Sequence, residues 1–199
     1  MRRLAVLGLV VGCSSEDPVV LVSVWPEEVV LDPIAWKEST FEWATVGLLN
    51  ETYFNLQVAD IHLEGVGAQN LELSSGGSTL ELAIRDTARL QVRVRPPPGG
   101  DRTLWTTADF EAALTFTVIG YGVIDPNTGE ADQTQRSELD LSVPIRYGLN
   151  CDMDGDGYDA RACAGSDCND DYAAIRPGIA EVCDGVDNNC LNGVDEGCP

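Results

Sequence analysis

The stretch SELDLSVPI, residues 137–145, alternates apolar and polar side chains over most of its length. Its apolar members are Leu139, Leu141, Val143 and Ile145, and between them lie Glu138, Asp140 and Ser142. Because successive side chains of a β-strand point to opposite faces, this pattern predicts a strand with one buried and one solvated face. Such strands build antiparallel sheets that pack face to face.

The same period of two recurs through the middle of the chain. It is found in TLELAIR (79–85), RLQVRVRP (89–96) and ALTFTVIG (113–120). Turn signals rich in Gly and Pro separate the runs, and no amphipathic helix is evident. The sequence therefore predicts an all-β domain over residues 19–149, a sandwich of about seven strands in the size range of the immunoglobulin-like class. A barrel is the structural alternative.

The run FNLQVADIHL, residues 54–63, changes phase part-way along. Phe54, Leu56 and Val58 share one face, but the next apolar residue is Ile61. The shift predicts a β-bulge near Ala59 and Asp60. His62, the sole histidine of the chain, is predicted to face outward as an ordinary surface residue.

The order of these segments resembles the immunoglobulin-like repeats of bacterial surface proteins called choice-of-anchor D or Hydin-like domains. The matching pieces are Asn50, IHLEG (61–65), VRVRP (92–96), and VPI (143–145) with Gly148. The resemblance implies a spacer or adhesive module without enzymatic activity.

The first 18 residues, MRRLAVLGLVVGCSSEDP, have the layout of a secretory signal. Two arginines precede an apolar run at residues 4–11, which is too short to span a membrane. VVGC, residues 10–13, resembles the bacterial lipoprotein box. The resemblance implies a signal peptide at 1–12, lipid on Cys13 and a tether at 13–18. An ordinary secretion signal with an incidental cysteine is the alternative.

Both interpretations place the protein outside the cytoplasm, and the lipoprotein interpretation places it in the cell envelope. Ser14 follows the cysteine, where some bacteria use an aspartate to retain lipoproteins in the inner membrane. We therefore expect an outer-membrane lipoprotein that faces the periplasm or the cell surface.

The charge of the chain is strongly negative, −21 at pH 7. Residues 151–199 alone hold ten Asp and two Glu against two Arg. This surface argues against nucleic acid and bare anionic lipid as partners. Calcium, or a basic partner, fits it better.

The seven cysteines are unevenly placed. One is Cys13, and the other six are Cys151, Cys163, Cys168, Cys183, Cys190 and Cys198. The tail has no C-x-x-C pair and no histidine, so disulfides formed in an oxidising compartment are favoured over a zinc site. Six cysteines allow 15 pairings, and the sequence does not choose among them.

The segment DMDGDGY, residues 152–158, matches the start of an EF-hand-type calcium loop. Asp152, Asp154 and Asp156 fall at ligand positions 1, 3 and 5, and Gly157 at position 6 allows the sharp turn. The backbone carbonyl of Tyr158 falls at position 7. Hard oxygen ligands without nitrogen or thiolate suit Ca²⁺.

Position 12, normally a bidentate Glu, is here Cys163, so the last ligands must come from elsewhere. The candidates are Asp167, Asp170 and Asp171. A second acidic group over residues 183–196 could form another oxygen cage or complete the first. Its candidate ligands are Asp184, Asp187, Asn189, Asp195 and Glu196.

Residues 152–196 closely resemble the metal-binding motif of MopE-type bacterial surface proteins. The shared elements are DMDGDGY, DCNDD (167–171), PG (177–178), EVCDGVDNNC (181–190) and DE (195–196). That family's name raises copper, but copper prefers imidazole, thioether or thiolate, and the tail has no His and a single Met, Met153. A solvated acidic disulfide knot that binds no ion is the plain alternative.

Together these features predict a non-enzymatic, lipid-anchored envelope protein. Its sandwich would be an interaction, adhesion or spacer domain for a protein or surface polysaccharide, and residues 150–199 a disulfide-rich Ca²⁺ module. A copper-binding or metal-scavenging surface protein is the first alternative. A carbohydrate-active enzyme with a carboxylate pair is the second.

Overall fold

The computed structural model describes residue 20 and residues 22–74, 79–95, 102–103, 105–121 and 136–199. The predicted signal peptide (1–12), the tether (13–18) and the lipid site at Cys13 lie outside the described residues. Within the described part, no helix is long and apolar enough to cross a membrane.

The described residues form ten strands and two short 3₁₀ turns, without an α-helix. The strands are β1 (Val22–Trp25), β2 (Val29–Val30), β3 (Ile34–Ala35), β4 (Ala44–Asn50), β5 (Leu56–Glu64), β6 (Leu71–Leu73), β7 (Leu80–Leu82), β8 (Thr87–Val94), β9 (Ala108–Tyr121) and β10 (Arg136–Asn150). The turns cover Val66–Asn70 and Arg161–Cys163.

The strands form two sheets, ordered β1-β4-β8-β6 and β2-β10-β9-β5-β7, and β3 also pairs with β10. The first sheet has the A-B-E-D order of an immunoglobulin constant-type sandwich, and β5, β9 and β10 supply C-F-G. This confirms the predicted all-β, immunoglobulin-like sandwich of about seven strands. The two-residue strands β2 and β3 are additional, because two residues carry no readable period, whereas the three-residue β7 lies within the predicted TLELAIR run.

Alternating side chains fill the core as predicted. Along β10, Leu141, Val143 and Ile145 are buried, and the residues between them are exposed. The corresponding residues of β9 are Leu114, Phe116 and Val118, all at most 2% exposed. One wet and one dry face on each strand account for the two-layer architecture.

The predicted bulge is present in β5. Its pairing with β9 shifts register between Ala59 and His62, and Asp60 has a φ of +50°. His62 is exposed, as predicted, and its Nε2 lies 2.9 Å from the Thr115 hydroxyl.

The described residues divide into two compact units. The first holds those up to Val30, Glu42–Val94 and Glu111–Arg146. The second holds three segments, Leu31–Phe41, the described residues of Arg95–Phe110, and Tyr147–Pro199. The second unit thus contains two upstream segments in addition to the predicted 150–199 module.

The second unit has a small aromatic core of its own. Trp105 is fully buried, and Phe41 packs against it edge-on, with ring centroids 6.3 Å apart. Phe110 stacks on Tyr147 at 5.3 Å. The acidic tail, residues 151–199, contains few large apolar side chains, and the large buried ones of this unit, Trp105, Tyr147 and Leu149, all precede it.

Candidate metal site

All six cysteines of the tail are joined in disulfides, which confirms the predicted framework. The pairs are Cys151–Cys163, Cys168–Cys190 and Cys183–Cys198. No thiolate is left in the tail for a zinc site. Cys151–Cys163 closes the predicted calcium loop, and Cys168–Cys190 ties residue 168 to the second acidic stretch.

The predicted calcium loop wraps around Asp152. The Oδ1 of Asp152 accepts hydrogen bonds from Gly155 N–H at 2.8 Å and Asp156 N–H at 3.1 Å. Its Oδ2 accepts one from Gly157 N–H at 2.9 Å. The two glycines have φ values of +76° and +92°, which side chains rarely tolerate, so the turn depends on glycine.

Three further carboxylates share one arrangement, in which one oxygen accepts a backbone hydrogen bond and the other does not. The Oδ1 atoms of Asp154, Asp156 and Asp167 accept backbone N–H groups two residues on, at 2.9 to 3.2 Å. Their Oδ2 atoms are buried and have no hydrogen-bond partner among the described residues. Unpaired buried anionic oxygens are costly, and a bound cation would satisfy them.

These carboxylates converge with two others. Oxygens of Asp152, Asp154 and Asp170 lie within 4.8 Å of one another, and so do those of Asp154, Asp156 and Asp167. Asp154 belongs to both groups. We call the five residues the first acidic cluster; they are Asp152, Asp154, Asp156, Asp167 and Asp170.

The electrostatics of the first acidic cluster disfavour negative charge. Burial raises the pKa of Asp154, and the charge of Asp156 raises it further. Burial also raises the pKa of Asp167, which is 1% exposed, despite the hydrogen bond from Asn169 N–H. The charges of neighbouring carboxylates raise both pKa values further. A bound divalent cation would offset this repulsion between the carboxylates.

The pKa shifts give a pH prediction for the metal-free protein. Because Asp154 and Asp167 have folded pKa values above the usual 3.8, the folded chain holds protons more tightly than the unfolded chain. Their stabilising contribution is complete below about pH 3.8 and is lost as pH rises through the raised values. In chelator, we expect these two groups to stabilise the second unit more at pH 4.5 than at pH 7. Thermal melts at both values would test this against the double variant Asp154→Asn/Asp167→Asn, in which the difference should shrink.

Asp170 and Asp171 differ in their surroundings. Asp170 is 4% exposed, and its Oδ1 accepts Met153 N–H at 2.8 Å while its Oδ2 accepts the Trp36 indole N–H. Asp171 is exposed and pairs with Lys37 Nζ at 2.6 Å, outside the cluster. Of the three candidates for the last ligands, the structure thus brings in Asp167 and Asp170.

Tyr158 follows the loop, and its N–H donates to Asp156 Oδ1 at 2.9 Å. Its side chain is half-buried, with the Arg176 guanidinium 6.0 Å from the ring centroid. Coordination by its backbone carbonyl stays a prediction.

A smaller group forms the second acidic cluster, made of Glu181, Asp187 and Glu196, whose oxygens lie within 4.8 Å of one another. Asp187 Oδ1 and Glu196 Oε2 are buried without a partner in the described part of the chain. The other Glu196 oxygen accepts Asn189 Nδ2 at 2.7 Å. Asn189 therefore holds a cluster member in place.

Glu181 is not among the ligands predicted from the sequence. Its carboxylate accepts the N–H groups of Asn188 at 3.2 Å and Asn189 at 3.4 Å. It stands six residues before Asp187, and the fold of the loop between them brings the two together. Its position at the start of the EVCDGVDNNC element was the sequence signal that could have identified it as a candidate ligand.

Asp184 and Asp195 lie outside both clusters. Asp195 Oδ1 accepts the N–H groups of Asp184 and Gly185, both at 3.0 Å. Asp184 Oδ1 accepts Val186 N–H at 3.0 Å. Both carboxylates therefore stabilise the turn that lies between Glu181 and Asp187 of the second cluster.

Residues 167–196 match the model of the Cu-binding MopE family, which is described as a "putative metal-binding motif". The match includes Asp167 and Asp170 of the first cluster and all of the second. The loop aspartates 152, 154 and 156 precede it. The match and the clustered acids together suggest a bound metal ion.

A search of curated proteins gives no match. Among solved structures, a protein of unknown function from Porphyromonas gingivalis W83 is 16% identical, with a TM-score of 0.44, over 64% of this chain and 47% of that one. The YadV chaperone is 7% identical, with a TM-score of 0.45, over 65% and 52%. The PapD-like domain 7 of human CEP192 is 9% identical, with a TM-score of 0.39, over 72% and 95%. The chain spans about half the length of the first two, and similarities this weak carry no functional argument.

Proposed function

We propose that this chain is a lipid-anchored cell-envelope protein whose C-terminal module binds Ca²⁺. The observation that carries the proposal is the set of buried, unpaired Oδ2 atoms on Asp154, Asp156 and Asp167. They belong to a five-carboxylate cluster built on a glycine-dependent loop. Calcium takes six to eight oxygen ligands in flexible geometry, and such a cluster with water could supply them.

The chemistry of the ligands supports calcium over the alternatives. Every member of both clusters is a carboxylate, and the tail has no histidine. Copper selects imidazole and sulfur ligands, and the six cysteines are in disulfides. Magnesium demands near-ideal octahedral geometry and keeps several waters, so it rarely uses five protein carboxylates.

The cellular setting in this proposal follows from the disulfides and the leader. Three disulfides belong in an oxidising compartment, and the sequence of residues 1–13 resembles a lipoprotein signal. Extracellular calcium of ~1 mM and a Kd of ~10⁻⁴ M would stabilise the folded chain by about 1.4 kcal/mol. In this setting the ion acts as a structural support.

The role we propose for the sandwich is non-enzymatic, as an interaction, adhesion or spacer domain. Its partner would be a protein or surface polysaccharide, since a net charge of −21 repels nucleic acid. The six tail cysteines are in disulfides and offer no free thiol nucleophile.

The experiment is native mass spectrometry of the secreted chain with Cys13→Ser, which removes the lipid. Samples would contain calcium, chelator or copper. We expect one or two calcium ions that chelator removes, without stoichiometric copper. Stoichiometric copper in place of calcium would favour a metal scavenger instead, and no metal in any sample would contradict metal binding altogether.

A further inference from the structure

We propose that Trp36 is a positioning residue for the metal site, because its indole N–H fixes the carboxylate of Asp170. Trp36 lies 134 residues before Asp170 in the sequence, and its own side chain is not a metal ligand. The proposal rests on the calcium-binding function above and extends the site to the segment Leu31–Phe41.

Strand pairing brings Trp36 to the start of the tail. Strand β3, Ile34–Ala35, pairs in parallel with Leu149 and Asn150 at the end of β10. The Trp36 N–H then donates to the Asn150 carbonyl at 2.9 Å. Asn150 Oδ1 in turn accepts Asp152 N–H at 3.0 Å. Asn150 therefore connects the backbone of Trp36 with Asp152, the first aspartate of the loop.

The side chain of Trp36 completes the anchoring of Asp170. The carboxylate is buried, and its two oxygens are held from two directions, by Met153 N–H and by the indole. A carboxylate oxygen has two lone pairs, so each can accept one hydrogen bond and still face a cation. The indole thereby fixes how Asp170 presents its oxygens to Asp152 and Asp154.

The neighbouring contact of Lys37 is of a different kind. Its ion pair with Asp171 is exposed, with side chains 34% and 62% accessible, and Asp171 lies outside the cluster. Exposed ion pairs of this kind are worth little. Lys37→Ala is therefore a control for the other contacts of this segment: it removes the ammonium group 5.2 Å from the Trp36 ring centroid but leaves the indole hydrogen bond to Asp170 in place.

The test compares calcium titrations of the Cys13→Ser chain with and without Trp36→Phe. Phenylalanine keeps an aromatic ring but loses the N–H. Removing a hydrogen bond that orients a metal ligand weakens metal affinity by roughly 10-fold to 100-fold, so we expect a Kd about 10-fold higher. Lys37→Ala should stay within about 2-fold.

In the Asp170→Asn background, Trp36→Phe should no longer change the calcium Kd, a result that general destabilisation would not imitate. Tryptophan fluorescence tests separately whether Trp36 lies beside the bound ion. Calcium should change the tryptophan emission of the parent chain. It should also change that of the Trp43→Phe variant, because Trp43 lies in the other unit, where its ring centroid is 4.3 Å from the Arg93 guanidinium. In Trp36→Phe the change should be lost. Thermal melts in chelator would confirm that the variant is folded.

The outcomes separate the two proposals. If the parent chain binds no calcium, the proposed function fails and this inference with it. If the parent binds calcium but Trp36→Phe keeps the same Kd, only the role of Trp36 is overturned. Should the variant not fold, the indole ¹⁵N–¹H resonance of Trp36 in the parent decides: it should move on calcium addition while that of Trp43 stays, and an unmoved resonance would contradict the proposal.

Discussion

Replacing Gly165 with alanine is expected to disrupt the metal module more than any other glycine substitution in it. An added Cβ would lie 1.9 Å from the Asp159 carbonyl oxygen and 2.3 Å from its carbon. These are backbone atoms, so no side-chain rotation relieves the overlap. The same carbonyl accepts Asp167 N–H at 3.1 Å, and Gly165 N–H donates to the Ala160 carbonyl at 3.0 Å.

The turn that would have to move therefore places Asp167. We expect Gly165→Ala to lower the free energy of unfolding by about 3 kcal/mol, the upper end of ordinary overpacking. Calcium affinity should fall sharply, because the buried oxygen of Asp167 would leave the cluster. Urea denaturation followed by circular dichroism, together with calcium titration calorimetry, would measure both effects.

Gly193→Ala is the matched control for this prediction. Gly193 has a φ of +105°, but an added Cβ would meet no atom within 4 Å. The left-handed conformation alone disfavours alanine by about 1 kcal/mol. If Gly165→Ala lowered the free energy of unfolding no more than Gly193→Ala does, the described conformation of the turn over residues 159–167 would be wrong.

Replacing Asp167 with asparagine is expected to change stability in opposite directions with and without calcium. Asp167 is 1% exposed, and its pKa is raised by burial and by neighbouring carboxylates. Asparagine removes the charge, and its Oδ1 can still accept Asn169 N–H, now at 2.9 Å. In chelator the variant should therefore melt at a higher temperature than the parent chain.

In millimolar calcium the order should reverse, because the variant lacks an anionic ligand. We expect its calcium Kd to rise by about 100-fold, within the range that ligand charge controls. Asp171→Asn removes the same charge outside the cluster and should leave the Kd nearly unchanged. Melts in chelator and in calcium are the measurement, and a shift of the same sign in both conditions would contradict the assignment of Asp167 as a ligand.

The sandwich could be predicted because its strands are long enough to show a period. Residues 137–145 alternate in sequence and alternate in burial. The phase change before Ile61 likewise predicted the bulge that the structure contains. The pairs Val29–Val30 and Ile34–Ala35 could not be predicted, because two residues form a strand only through pairing with β10.

The glycine-dependent turn over residues 152–158 could be predicted for a similar reason, since its aspartates and glycines follow a fixed local spacing. The choice between Asp170 and Asp171 was not local. It depends on Trp36 and Lys37, which lie 134 residues upstream and each take one of the two carboxylates. Glu181 was missed because its cluster partners come together only in the folded, disulfide-linked tail.

The organisation of the second unit shows the same limit. The sequence predicts a module that starts at residue 150, because cysteine and aspartate become frequent there. The compact unit around the tail also contains Phe41 and Trp105, whose contact at 6.3 Å joins two upstream segments. Such packing between distant segments leaves no periodic signal in either of them.

The most direct test of metal binding is the position of the ion itself. Crystals of the Cys13→Ser chain grown with calcium would be measured at a long wavelength, where calcium scatters anomalously. We predict a peak bounded by the Oδ2 atoms of Asp154, Asp156 and Asp167, with calcium–oxygen distances of about 2.3–2.6 Å. A calcium-loaded crystal with no peak among these three oxygens would contradict the central claim.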